Sequence, residues 1–103
     1  GSNQVAAEGI LTANGNLSVL GCDPAAGDIL AAGFDAGSVI KGAITSGKMF
    51  GAVTQSPLAM GQMTVEVLTK IANGETVSDV PTQGYWYDST NMEDASIAPN
   101  LYD

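Results

Sequence analysis

The sequence predicts an α/β fold: a small, mainly parallel sheet of three or four strands with about three helices. Three observations lead there. The run Ile29 to Phe34 (ILAAGF) is continuously apolar, as a strand covered on both faces is. It ends at Asp35, and the helical pattern SVIKGAITSG separates it from a second apolar run, Met49 to Thr54, that ends at Gln55. Strand, helix and strand in that order are the unit of a parallel sheet. Ser56-Pro57 then opens a long amphipathic segment, with a hydroxyl placed to cap and proline at the first helical position.

Each element has its own justification. Gln4 to Ala13 has helical spacing, with Val5, Ala6, Ile10 and Ala13 on one side. Asn14-Gly15 reads as its stop, because both residues tolerate a left-handed backbone. Leu17 to Gly21 reads as a short strand, and Asp23 to Asp28 (DPAAGD) as a turn or loop. That loop is too short for the crossover a parallel pair needs. Its flanking strands therefore form an antiparallel hairpin or are not neighbours.

Ser38 can cap the second helix, whose buried stripe is Val39, Ile40, Ala43 and Ile44, and Gly47 ends it. The helix from Pro57 carries Met60, Met63, Val67, Leu68 and Ile71 on one face and stops at Asn73-Gly74. A polar connection from Glu75 to Gln83 precedes a short strand, Gly84 to Asp88, that holds the aromatic cluster. A turn of helix is expected near Asn91 to Ala98.

Composition narrows the function classes. A chain of 103 residues holds one domain. The net charge is −8, and the basic residues are Lys41, Lys48 and Lys70, with no histidine. Such a surface repels phosphate backbones and anionic membranes, so no nucleic-acid partner is expected. A single cysteine excludes an internal disulfide and a multi-cysteine metal site. No apolar run reaches membrane-spanning length, no signal peptide is present in the chain, and Gly1-Ser2 has the look of a cloning scar. No cofactor is predicted.

Ligands of open α/β sheets sit beyond the carboxyl ends of the strands. Asp35 and Gln55 follow successive strands, so both face one crevice. A carboxylate accepts and an amide both donates and accepts, which suits a polyhydroxylated ligand such as a sugar. Plainer roles compete. Asp35 can cap the helix after it, and Gln55 can tie down a turn. Phe34 and the Tyr85-Trp86-Tyr87 cluster can stack on a sugar ring, but alternation puts Trp86 opposite both tyrosines, which fits core and rim packing. Cys22, with no basic neighbour in sequence, reads as a half-buried small apolar residue. Met49, Met60, Met63 and Met92 fill the core. Asp88, Glu93, Asp94 and Asp103 make an acidic tail without the oxygen-ligand spacing of a calcium loop. No nucleophile motif or paired carboxylates appear, so no catalysis is expected.

Gly33-Phe34-Asp35, the Gln-x-Pro-x-x-x-Gly of Gln55 to Gly61, the segment SPLAMGQMTVEVLTKIANGE and the Trp86-Tyr87-Asp88 tail resemble the C-terminal part of a ribose-type periplasmic sugar-binding protein. These are the soluble receptors of ABC importers. The resemblance runs from Gln4 to Asp103. It implies two α/β lobes joined by a hinge, one monosaccharide such as ribose or galactose in the cleft, and a membrane permease as partner. It also implies an extracytoplasmic place, periplasmic or as a cell-surface lipoprotein. Asp35 matches the family's sugar-binding aspartate and Gln55 its glutamine. Cys22 stands where the family has a sugar-contacting asparagine, with Asp23 and Phe34 as further candidates.

The chain departs from the family in two places. Only AAGD separates Pro24 from the strand at Ile29, so a helix is missing, and the family's first half is absent. The expectation is a partial lobe, with residues 1–55 from one lobe and 56–103 the hinge-crossing helix and tail. Sugar binding is expected to be weak or lost. The stripe of the long helix then needs its own sheet or a second copy of the chain, which makes a homodimer or domain swap a prospect. A stand-alone or dimerising module without a ligand is the alternative. A third reading, the effector domain of a lac-repressor-like regulator, is opposed by the acidity and the missing DNA-binding helices.

Overall fold

Asn3 starts the first helix: its side chain accepts the Ala6 N–H at 2.8 Å, capping α1 (Gln4–Leu17). The computed structural model describes residues 1–102, and Asp103, named above with the acidic tail, lies outside them. The order continues with β1 (Ala32–Phe34), α2 (Ser38–Thr45), β2 (Gly51–Thr54), α3 (Pro57–Ala72) and β3 (Tyr85–Tyr87). Single 3-10 turns lie at Pro24–Ala26 and Ala98–Asn100. The fold is α/β, with a mixed three-stranded sheet.

The first helix corrects two expectations. It passes through Asn14-Gly15 and ends only at Ser18, which takes a left-handed backbone (φ 51°). Asn14 still terminates it, by another route: its carbonyl accepts the Ser18 N–H, and its side chain accepts from Val19 and Leu20 at 2.8 and 2.9 Å. The buried side is Ala7, flanked by Ile10 and Leu11, whereas Val5 is 76% exposed.

Because the helix runs on, the expected strand at Leu17 to Gly21 shrinks to one bridge, Leu20 to Ile29. That bridge is parallel, so the pair is neither a hairpin nor separated. A single bridge tolerates a short connection because the connection folds on itself. Asp23 accepts the Ala25 N–H, and Asp28 accepts the Asp23 N–H. The Gly21 backbone lies so close to the Asp28 carboxylate that a Cβ there would overlap it.

Strand β2 is central. It pairs in parallel with β1 (Ala32 to Gly51, Phe34 to Val53) and antiparallel with β3 (Ala52 to Tyr87, Thr54 to Tyr85). Register places Gly33, Ala52 and Tyr87 on one face, where they join Ala7, Ile40, Ala43, Ile44 and Met49 in the core. Gly33 allows the close approach of α1: a Cβ there would stand 3.1 Å from the Met49 sulfur and 3.4 Å from Ala7 Cβ. The other face, with Ala32, Phe34, Val53 and Trp86, is largely open, and Ile29 and Leu30 are exposed. The run Ile29 to Phe34 is thus covered on one face, not two.

In α2 the stripe Ile40, Ala43 and Ile44 is buried, but Val39 is exposed. Gly37, not Ser38, is the N-cap, and Gly47 (φ 76°) turns the chain out of the helix. Helix α3 has the expected bounds but no buried residue. Ser56 does not cap it. Its stripe does not settle on the sheet; Met60, Met63, Val67 and Leu68 line a groove of about 440 Å³ against Val77 and Val80. The shape follows. The radius of gyration is 17.1 Å, well above the roughly 13 Å of a compact chain this long.

Candidate functional site

A parallel β1–β2 pair leaves two chain ends side by side. Asp35 leaves β1 with its N–H donating to the Val53 carbonyl at 2.8 Å, so it is still in register with β2. It then turns through φ 79°, a left-handed conformation uncommon outside glycine but best tolerated by aspartate and asparagine. Gln55 leaves β2 next to it and donates its side-chain N–H to the Asp35 carboxylate at 3.3 Å. The structure brings these two predicted residues together at the carboxyl ends of their strands.

The plain role expected for Asp35 does not hold. It does not cap α2, whose N-cap Gly37 makes no side-chain bond. Its carboxylate instead accepts the first N–H of α1, from Gln4, at 3.0 Å. A carboxylate at a helix N-terminus meets unpaired N–H groups and the positive end of the helix dipole. The residue thus joins three elements: β1 behind it, α1 through its carboxylate, and Gln55 beside it.

Two tyrosines complete the surroundings, and residue spacing alone did not reveal them as neighbours of Asp35. Tyr87 is fully buried and donates its hydroxyl to the Asp35 carbonyl at 2.7 Å. Burial, reinforced by the charges of Tyr102 and Asp35, holds its phenol well above the usual value. Tyr102 brings its hydroxyl to the Asp35 side chain and the Ala36 N–H, and burial raises its pKa as well. Alternation had already separated both tyrosines from Trp86; only the strand order shows that Tyr87 reaches across to the end of β1.

The other candidates are placed elsewhere. Cys22 is exposed, not half-buried, and its sulfur lies 3.4 Å from the Gly47 carbonyl. Gly47 precedes β2, so Cys22 sits at the amino end of the sheet, opposite to Asp35 and Gln55. Asp23 caps the 3-10 turn beside it. The reason is register: Leu20 pairs with Ile29, five positions before Phe34, so the chain after Leu20 never reaches the carboxyl end. Phe34 does lie next to Asp35, half-buried on the open face. Trp86 covers Gly51, contacts Phe50 at a ring separation of 6.0 Å, and donates its indole N–H to Asp88. It shares that open face with Phe34.

Among the described residues no group of three or more histidine, cysteine, aspartate or glutamate side chains could hold a metal ion. What the arrangement offers is an acceptor and an amide at the mouth of a parallel strand pair, braced from behind by phenols.

No family model matches the chain, and no curated protein does. Solved structures do. An ABC transporter, LacI family transcriptional regulator from Brachyspira murdochii is 39% identical over 82% of this chain, with a TM-score of 0.75. A carbohydrate-transporter solute-binding protein from Agrobacterium radiobacter, in complex with D-arabinose, matches 98% of the chain at 25% identity and a TM-score of 0.80. An ABC-transporter solute-binding protein from Agrobacterium vitis with bound D-fucose matches 99% at 23% identity and a TM-score of 0.84, a likeness of fold. The chain spans 27%, 32% and 33% of those proteins. It has the architecture of part of an ABC-transporter sugar-binding protein, as the resemblance implied.

Proposed function

We propose that this chain is the part of an ABC-importer sugar receptor that contributes Asp35 and Gln55 to a monosaccharide site. The observation that carries the proposal is the contact between these two side chains just beyond the carboxyl ends of β1 and β2. An acceptor already tied to an amide makes a fixed pair. A sugar with adjacent hydroxyls meets one group that accepts and one that both accepts and donates. Phe34, beside Asp35, offers an apolar edge to a ring face. In this reading the receptor is extracytoplasmic and non-catalytic, and it hands its sugar to a membrane permease. Residues 1–55 belong to one lobe, and 56–103 make the hinge-crossing helix and tail.

Affinity for a sugar comes from many converging hydrogen bonds in a cleft closed to water. Two side chains on an open surface provide few, so this chain by itself binds weakly. The test is an ¹⁵N-HSQC titration with D-fucose, D-arabinose, ribose and galactose. Saturable shifts centred on Asp35 and Gln55, with a dissociation constant weaker than about 1 mM, are expected. Tighter binding would overturn the half-site, and shifts absent at saturating sugar would overturn the assignment of the pair.

A second reading is favoured by the unburied stripe of α3: the chain associates with another polypeptide, a second copy included. A sedimentation experiment that returns only monomer at high concentration rules out the self-associating form.

A further inference from the structure

We infer that Asn100, in the C-terminal segment, is the positioning residue for Gln55. The inference rests on the sugar-site reading above and adds to it what holds the amide in place. Gln55 is exposed, yet both of its chain neighbours are buried, Thr54 at 0% and Ser56 at 7%. Both are anchored to the same residue, forty-odd positions away. The Ser56 hydroxyl donates to Asn100 Oδ1 at 2.7 Å. The Thr54 hydroxyl lies 2.8 Å from the Asn100 carbonyl and 3.0 Å from the Gln55 carbonyl, so its one proton is shared between the tail and Gln55 itself.

Asn100 is in turn held. It is 9% exposed, and its amide donates to the Ser96 carbonyl at 3.2 Å. Among the described residues no buried side-chain polar atom lacks a partner. A fully satisfied polar network in a low-dielectric setting fixes geometry more tightly than apolar packing does. Here it grips the backbone on each side of one exposed amide at the point where β2 gives way to α3. Gln55 is thereby directed at Asp35 by a residue that grips the chain on both sides of it.

The test is the order of the Gln55 side-chain N–H₂ group by ¹⁵N relaxation, without sugar, in Ser56→Ala, Asn100→Ala and Ser56→Thr. Ser56→Ala removes one hydroxyl and leaves the sheet intact; Ser56→Thr keeps the hydroxyl. The Gln55 order parameter is expected to fall below about 0.6 in the two alanine variants and to stay at its native value in Ser56→Thr. The backbone amides of Gly33 and Ala52 should be unaffected, which a general loosening of the fold would not allow. A Gln55 group equally ordered in Ser56→Ala overturns the inference, even if Asn100→Ala fails to fold. The readout needs no ligand. Loss of Gln55 order in a chain whose wild type shows no sugar shifts would leave the positioning role standing and sink the sugar reading.

Discussion

The hydroxyl of Tyr87 reaches the carbonyl of Asp35 at 2.7 Å, tying β3 to the residue that ends β1 across a separation of 52 positions. Strand β2 lies between them in the sheet. The bond holds a backbone that has turned into the left-handed region at a non-glycine residue, a conformation that costs about 1–2 kcal/mol. Tyr87→Phe keeps the ring and leaves that carbonyl without its partner. Stability should fall by about 1–2 kcal/mol, read as a lower urea midpoint with an unchanged slope.

Tyr87 and Tyr102 also set an alkaline limit. Both are held above the usual phenol value, chiefly by burial. The folded state therefore keeps a proton that the unfolded chain releases, so their contribution is complete below the unfolded pKa and declines as pH rises through it. The urea midpoint should fall above about pH 10, and less steeply in Tyr87→Phe than in the parent chain. Parallel pH profiles would argue against burial of this phenol.

Gly51 lies under the indole of Trp86, where a Cβ would overlap the ring. Gly51→Ala should displace the indole and cost about 1–3 kcal/mol. Tryptophan emission should move to longer wavelength. In Trp86→Ala the same glycine change should cost far less, a non-additivity that a double-mutant cycle measures.

Asp88 titrates below the ordinary carboxylate range because the Thr90 hydroxyl, then the Trp86 indole and the Thr90 N–H, bond its charged form. The contribution is present above the unfolded pKa and is lost as pH falls through the folded one. In Thr90→Val the carboxyl resonance of Asp88 should titrate at higher pH. The effect on stability should be small, since the group is exposed to solvent screening.

Helix α3 buries no side chain, so its apolar residues contribute little to this chain's own stability. Leu58→Ser and Val65→Ser, both at exposed positions, should each change stability by less than about 0.5 kcal/mol. Ile40→Ala, at a fully buried position, should cost about 2–5 kcal/mol. Equal losses at the two kinds of site would mean that α3 is packed.

What the sequence determined was local. Proline after serine and glycine after asparagine set the bounds of α3, and the stripe Ile40, Ala43 and Ile44 set the buried side of α2. The strand–helix–strand order put Asp35 and Gln55 side by side, because parallel strands joined by one helix end at the same edge. Tertiary structure decided whatever depended on a distant partner. Asn14-Gly15 is a stop signal by propensity, but the intact ladder of α1 carried it past, and Asn14 acted at Ser18 through its carbonyl and at Val19 and Leu20 through its side chain. Cys22 read as a site residue through the family resemblance, because it stands where that family has a sugar-contacting asparagine, yet the parallel Leu20–Ile29 register left it at the opposite edge. Asn100 and Tyr87 are distant from the site along the chain, and only the closing of the tail and β3 onto β2 makes them its supports. Hydrogen-bond partners so far apart leave no periodicity to read, because the physics that pairs them acts after the chain has folded.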